Sequence, residues 1–240
     1  MKYMKEAIVK WIQDWFKENG PDCKAVIGIS GGKDSSIVAA LCVKALGKDR
    51  VLGVMMPNGP QDDDAYKVIE YLGIDCMIVS IESAYQSIIR NIQRNPIKIS
   101  NQTLINLSPR LRMSTLYAIS QSVNGRVANT CNLSEAYIGW ETRWGDAVGD
   151  FAPLQGLTCS EVIALGRELD LPKELIEKVP SDGLCGYTDE DAFGFTYDEV
   201  DRWIRFGVKG EHHTEIMQMH NKNRFKKLDL PHYSPPLVQY

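Results

Sequence analysis

The clearest change of pattern along the chain lies between residues 25 and 46. Ala25-Val26-Ile27-Gly28-Ile29 is an apolar, β-branched run, and Ile37 to Leu46 is almost wholly apolar over a helical length that Gly47 closes. Between them a short polar stretch carries a glycine pair. Strand, tight loop and helix start follow one another there. Upstream, Ile8, Trp11, Ile12, Trp15 and Phe16 recur at three- and four-residue spacing before Gly20, which predicts an amphipathic helix over 4–19 with its aromatics in a core or subunit contact. Downstream, 51–56 reads as a second strand ending at Pro57. A helix opens at Asp62-Asp63-Asp64, carries Ala65, Val68, Ile69 and Leu72, and closes at Gly73; the three acids read as dipole partners rather than metal ligands. Cys76 to Ile81 is a third strand.

Residues 83–107 have weak periodicity, with a loop near Asn95-Pro96. Ser108 as N-cap and Pro109 as first helical residue predict a helix running to Gly125, with Arg110 and Arg112 in its first turn. Cations there oppose the helix dipole unless an anion or partner compensates. Arg126 to Thr130 predicts a fourth strand. This alternation gives an α/β fold, a doubly wound parallel sheet with helices on both faces, whose ligands sit beyond the carboxyl ends of the strands.

The remainder is organised by turns and caps. Gly139 to Pro153, rich in Gly, Trp and acids, reads as a shaped functional loop. Thr158-Cys-Ser-Glu161 and Thr196-Tyr-Asp-Glu199 fit capping boxes, so Glu161 is structural. Residues 180–195 lack a period and read as a lid. Near the C-terminus, adjacent His212 and His213 cannot share a helix face, which argues against a metal site with His220. The basic cluster Lys222, Arg224, Lys226 and Lys227 fits anion binding and plain surface charge equally.

The loop after the first strand carries the chemistry: Ser30-Gly31-Gly32-Lys33-Asp34-Ser35-Ser36. Glycines let backbone N–H groups converge, a helix N-terminus adds unpaired donors and the positive dipole end, and Ser30, Ser35 and Ser36 add hydroxyls. That combination binds phosphate. It is not a Walker A loop, because Lys33 is followed by Asp34 rather than Ser or Thr. A carboxylate beside polyphosphate calls for a cation, so Asp34 is the candidate ligand for Mg²⁺.

Composition narrows the classes. A chain of 240 residues, 44% hydrophobic, is read as one domain over 1–240, and a formal charge of −4 gives no reason to expect nucleic acid. The 6 cysteines form no Cys-x-x-Cys pair, which points to reduced thiols rather than zinc or a redox dithiol. No signal-peptide pattern and no long apolar run is present, so the expectation is a cytoplasmic protein with no membrane partner.

The loop resembles the pyrophosphatase loop of the N-type ATP pyrophosphatases. Further segments are similar, in order and spacing, to ammonia-dependent NAD synthetases: Gln61 with Asp64-Ala65, Arg110-x-Arg112-Met113, Asn129 to Glu135, Gly145-Asp146 with Gly149-Asp150, Lys178 to Leu184, Thr188-Asp189-Glu190 with Gly194, and Tyr197-Asp198 with Asp201. The resemblance implies an adenine nucleotide alpha-hydrolase-like fold. It also implies a ligase that uses ATP as cosubstrate, adenylates deamido-NAD, releases pyrophosphate, and lets ammonia displace AMP to give NAD⁺, in a homodimer with the 109–123 helix near the partner. It implies that Gly28, Ile29, Ser30, Gly31, Gly32, Lys33, Asp34, Ser35, Ser36, Thr130, Cys159 and Ser181 bind ATP. Asp34 and Glu135 would hold Mg²⁺, with Lys33 beside them in catalysis, and Arg110, Arg143, Asp146, Asp150, Phe225 and Lys226 would face deamido-NAD. Two positions depart from the family: Cys159 stands where many members have lysine, and Phe225 where many have histidine. Lys33 is the candidate to supply the charge missing at Cys159. Another amidating or thiolating member of the superfamily, or a nucleotide-binding module without turnover, are the alternatives. A domain already used by synthetase motifs leaves no room for a glutaminase, so ammonia is the expected nitrogen source.

Overall fold

The computed structural model describes residues 2–59, 63–176 and 188–234. They form α1 (Lys2–Asn19), β1 (Lys24–Gly28), α2 (Lys33–Leu46), β2 (Val51–Met55), α3 (Asp63–Leu72), β3 (Asp75–Ile78), α4 (Glu82–Gln93), α5 (Asn101–Ser122), β4 (Gly125–Val127), α6 (Leu133–Ile138), α7 (Cys159–Arg167), α8 (Lys173–Ile176), α9 (Asp189–Phe193), α10 (Tyr197–Phe206) and α11 (His213–Asn223). Short 3₁₀ turns cover Lys48–Arg50 and Arg224–Lys227.

Among the described residues the sheet runs β3-β2-β1-β4, every pair parallel, with Ala25 opposite both Val51 and Arg126. The chain steps outward from β1 to β3 and then returns to lay β4 on the other side of β1. The strand order therefore reverses between β1 and β4, the switch point beside which sheets of this class take their ligands.

Strand alternation divides the core. Ala25, Ile27, Val51 and Met55 pack with Ile12 and Phe16 of α1, Ile37 and Leu41 of α2, and Val162 and Leu165 of α7. Val26, Leu52, Val54 and Val127 point the other way, onto Met113 and Leu116 of α5. Each large side chain so buried stabilises the fold by roughly 1.5–3 kcal/mol, and the two-sided burial is what keeps the parallel sheet covered by helices on both faces. A third cluster joins Ile138, Cys159, Phe195, Tyr197, Val200 and Ile216 beneath α10 and α11. The α1 aromatics are mainly core: Phe16 is buried and Trp15 stacks on Phe151 at 5.1 Å.

Three expectations are corrected. The helix predicted to start at Ser108 starts at Asn101, because the Ser100 side chain accepts the Thr103 N–H and caps it two turns earlier. Pro109 lies inside α5, so Arg110 and Arg112 are mid-helix and no longer oppose a dipole end. The weakly periodic 83–107 region contains α4, half-covered on one side only. Part of the presumed lid is a capped helix, α9, in which Thr188 and Asp191 complete a capping box; residues 177–187 of that stretch lie outside the described residues. No helix among the described residues is long and apolar enough to cross a membrane.

Candidate active site

The phosphate loop begins where β1 ends. Gly28 ends the strand and Ile29 keeps to its line: Ile29 N–H donates to the Val54 carbonyl at 2.9 Å, and a Cβ on Gly28 would come within 3.3 Å of Leu116 and Met56. They set the direction in which the loop leaves the sheet. Gly31 turns the chain at φ +76°, where a Cβ would lie 2.8 Å from the Ala65 nitrogen, so glycine is required. Gly32 then caps α2 with no side-chain hydrogen bond to the first turn. Among the described residues no side chain caps the start of α2, at the positive end of a 14-residue helix.

The three serines do not act alike. Ser35 and Ser36 are buried, and both hydroxyls donate to the Gly32 carbonyl, at 3.1 and 2.7 Å. Both fasten the loop from within. Ser30 is exposed; its Oγ accepts the Gly32 N–H at 3.2 Å and lies 3.1 Å from Ser35 Oγ.

Beside the loop sits a compact charged centre. Lys33, only 3% exposed, reaches Asp34 Oδ2 with its Nζ at 2.7 Å. Burial alone would pull the Lys33 pKa down, but Asp34, with Glu135 behind it, outweighs that and leaves it raised. Glu135 is pushed up, first by burial and then by the Asp34 charge. Asn132, fully buried, ties the two acids together: its Nδ2 donates to Asp34 Oδ1 at 3.3 Å, its Oδ1 accepts the Glu135 N–H at 3.0 Å, and its own N–H donates to Glu135 Oε2 at 3.1 Å. Glu135 is thus the N3 member of a capping box on α6, not a plain surface acid. Asn132 is the functional residue that sequence reasoning missed, although its spacing to Glu135 is that of a capping box. Cys159 is buried at the start of α7, in the electrostatic reach of Lys33, and burial pushes its thiol up to about 12, so it is neutral.

Two carboxylates held by one asparagine, beside unpaired helix donors, fit Mg²⁺, which commonly takes one or two carboxylates and completes its shell with phosphate oxygens and water. Among the described residues there is no cluster of three or more metal-ligating side chains, so the fit is to a cation that arrives with phosphate, not to an all-protein cage.

The predicted acceptor residues fall into one group with an outlier. Arg110 Nε donates to the Arg143 carbonyl at 3.2 Å, and the Arg143 guanidinium lies over Trp144 at 5.0 Å and Phe225 at 5.6 Å. Lys226 Nζ donates to the Gly139 and Glu141 carbonyls, at 2.7 and 3.0 Å, and Lys227 pairs with the buried Glu141 carboxylate at 2.6 Å. Lys226 and Lys227 thus fasten the tail to the 139–144 loop. Asp146, whose pKa burial raises, accepts the Thr142 N–H at 3.0 Å and lies against Cys131. Asp150 is the outlier: it accepts the Val127 N–H at 2.7 Å and the Tyr117 hydroxyl at 3.3 Å, which fixes the end of β4. Thr130 is partly exposed, three residues past the end of β4, and Ser181 lies outside the described residues.

The NAD synthase family model matches residues 4–230. A relative from Carboxydothermus hydrogenoformans named NH(3)-dependent NAD(+) synthetase is 36% identical over 231 residues, covering 92% of this chain and 93% of its own. Among solved structures, an NMN synthetase from Francisella tularensis superposes with a TM-score of 0.88 at 34% identity, covering 98% of each chain. An NH3-dependent NAD synthetase from Campylobacter jejuni gives 0.76 at 28%, over 99% of this chain and 98% of its own. A strand-order switch between β1 and β4, a glycine-rich loop at the start of α2 and a match from residue 4 to residue 230 agree: the chain belongs to the NAD synthase family.

Proposed function

We propose that this chain is a C–N bond-forming ligase that amidates deamido-NAD with ammonia to give NAD⁺, using ATP. The nicotinate carboxylate attacks the α-phosphate, pyrophosphate leaves, and ammonia displaces AMP from the NAD-adenylate. The observation that carries this reading is the α2 N-terminus, open and uncapped, next to the Lys33–Asp34–Glu135 centre. In-line displacement needs positioning and neutralisation of the departing pyrophosphate rather than a covalent nucleophile. The α2 N–H groups and Ser30 would hold the phosphates, while Lys33 supplies a positive charge beside them. Asp34 and the second Glu135 oxygen would hold Mg²⁺, which adds charge neutralisation when bound. On the acceptor side Arg110, Arg143 and Lys226 line the approach to the dinucleotide, Asp146 lies behind them, and Asp150 acts by positioning β4. The cytoplasm, and the absence of nucleic acid and membrane partners, belong to the same reading.

The test is incubation with ATP, Mg²⁺, ammonium and deamido-NAD. Equal amounts of NAD⁺ and AMP are expected, with little turnover when glutamine replaces ammonium. AMP without amide, or nucleotide binding without AMP, would sink it. A second reading has one observation in its favour, the higher TM-score to the structure titled NMN synthetase. A mononucleotide acceptor would use the same phosphate centre, so nicotinate mononucleotide belongs in a parallel tube, and the ratio of the two kcat/KM values decides between them.

A second copy of the chain is the proposed partner. Parallel strands are ordinarily covered, yet all four residues of β3 are exposed, Ile78 by 52%, and the neighbouring Val79, Ile97 and Leu104 are exposed too. A homodimer packed along β3, α4 and α5 would bury this apolar surface. A fully active monomer by light scattering at assay concentration would remove the proposal.

A further inference from the structure

We propose that Lys33 holds, on Asp34, the place of the divalent cation in the nucleotide-free protein, and gives it up to follow the phosphates when nucleotide and cation enter together. The inference rests on the metal assignment just made and adds an exchange step to it.

Three features lead there. Lys33 is the first residue of α2, yet its side chain does not run into solvent; it is buried and turns onto the neighbouring Asp34. Asp34 and Glu135 are anchored by the same asparagine, so two carboxylates are held close in a poorly solvated place whether or not a cation is present. Leaving such a pair without a counter-charge is costly, and Lys33 removes that cost. Finally, α7 opens on buried Cys159, a side chain that brings no second cation to this centre.

The exchange follows from charge. An ammonium and a divalent cation cannot share Asp34, because at about 4 Å their repulsion is several kcal/mol even at an effective dielectric near 20. Once the cation takes the carboxylates, the nearest anion to which Lys33 can turn is the phosphate chain seated on the N-terminus of its own helix. An ammonium on a flexible stem can make that move, whereas a planar guanidinium locked in a fork could not do so as readily. Cation and nucleotide should therefore bind with strong mutual coupling, and the cation alone should bind poorly.

The experiment counts free Mn²⁺ by electron paramagnetic resonance as it is titrated into nucleotide-free protein. Lys33→Met is expected to bind Mn²⁺ at least about tenfold tighter than the wild type and to bind a non-hydrolysable ATP analogue about tenfold more weakly. Adding Cys159→Lys to Lys33→Met should restore part of the analogue affinity, because it returns an ammonium to the same spot. In wild-type protein with ¹⁵N-labelled lysine, the buried Nζ resonance should shift with analogue plus Mg²⁺ and stay in place with Mg²⁺ alone; this arm needs no variant. Equal or weaker Mn²⁺ binding by folded Lys33→Met, or a resonance that moves with Mg²⁺ alone, overturns the exchange. Failure of the metal assignment is seen separately: Asp34→Asn would then bind Mn²⁺ with the analogue as well as the wild type does.

Discussion

Two kinds of helix N-terminus coexist in this molecule. α6, α7, α9 and α10 each open with a complete capping box, built by Asn132 with Glu135, Thr158 with Glu161, Thr188 with Asp191 and Thr196 with Glu199. α2 opens on Gly32 with no side-chain cap. The sequence is not short of capping residues in that loop; Ser30, Ser35 and Ser36 are all there, but their hydroxyls bond one another and the Gly32 carbonyl. α4 and α11 also open without a side-chain cap, on Ile81 and His212, so an open start is not in itself a site. What sets α2 apart is that three capping-type side chains stand beside its start and fasten the loop from behind.

Glu135 stands on both sides of this contrast, so it gives the largest expected effect. Glu135→Gln retains a side-chain oxygen for the Asn132 N–H and hence the α6 cap, but removes the charge. The turnover number should fall by about a hundredfold or more, with the melting temperature nearly unchanged. Glu135→Ala should lose the cap as well, at about 1 kcal/mol of stability. Equal activity of Glu135→Gln and wild type would leave Glu135 as a cap only. Asp34→Asn, in which no cap is at stake, should show the loss of turnover alone.

Closing α2 should do the reverse. Gly32 sits at φ −82°, ψ 162°, an extended conformation that any residue adopts, and a Cβ there would meet only Ser30 Oγ at 3.2 Å. Gly32→Asp is expected to supply the missing cap and stabilise the fold by a few tenths of a kcal/mol, while ATP affinity falls about tenfold as the carboxylate takes the phosphate donors. Paired thermal melts and nucleotide titrations check both signs. Thr196→Ala is the control on the structural side, with about 1 kcal/mol lost from stability and KM for ATP unchanged.

What the sequence made legible follows the same division. The strand, loop and helix around Ser30–Ser36 were readable because their periods and punctuation are local, and so were the Thr158 and Thr196 caps. The start of α5 was not. Ser108-Pro109 is a good local start signal, but Ser100 caps first, and tertiary packing of Met113 and Leu116 on the sheet outweighs the roughly 3 kcal/mol that an internal proline costs. The direction of Lys33 was also hidden, since a loop lysine reads as solvated unless Asp34 and Glu135 are known to converge on it. Asp150 was read toward substrate; its use by Val127 and Tyr117 depends on a long-range bridge between Ala128 and Phe151 that no spacing rule shows.

The smallest expected effect concerns how a structural N-terminus is closed. Glu199 caps α10 and also accepts the His212 N–H at 3.2 Å and the His212 ring Nδ1 at 3.1 Å. Burial would raise its pKa, but the N–H groups of His212 and Thr196 outweigh that and hold it below the ordinary 4.5. The Glu199 hydrogen bond, with help from Glu211 and Glu215, raises His212 above its ordinary 6.5. The signs then fix a window. The histidine's contribution is complete below its unfolded value and is lost as pH rises through the folded one; the glutamate's is complete above its unfolded value and is lost as pH falls through the folded one. Both are present between 4.5 and 6.5. Glu199→Gln keeps an oxygen for the cap and removes the charge, so its melting temperature should fall below that of the wild type within this window and converge with it at alkaline pH, where His212 is neutral. A deficit of the same size at about pH 9 would mean that the cap geometry, and not the charged histidine, is what Glu199 contributes.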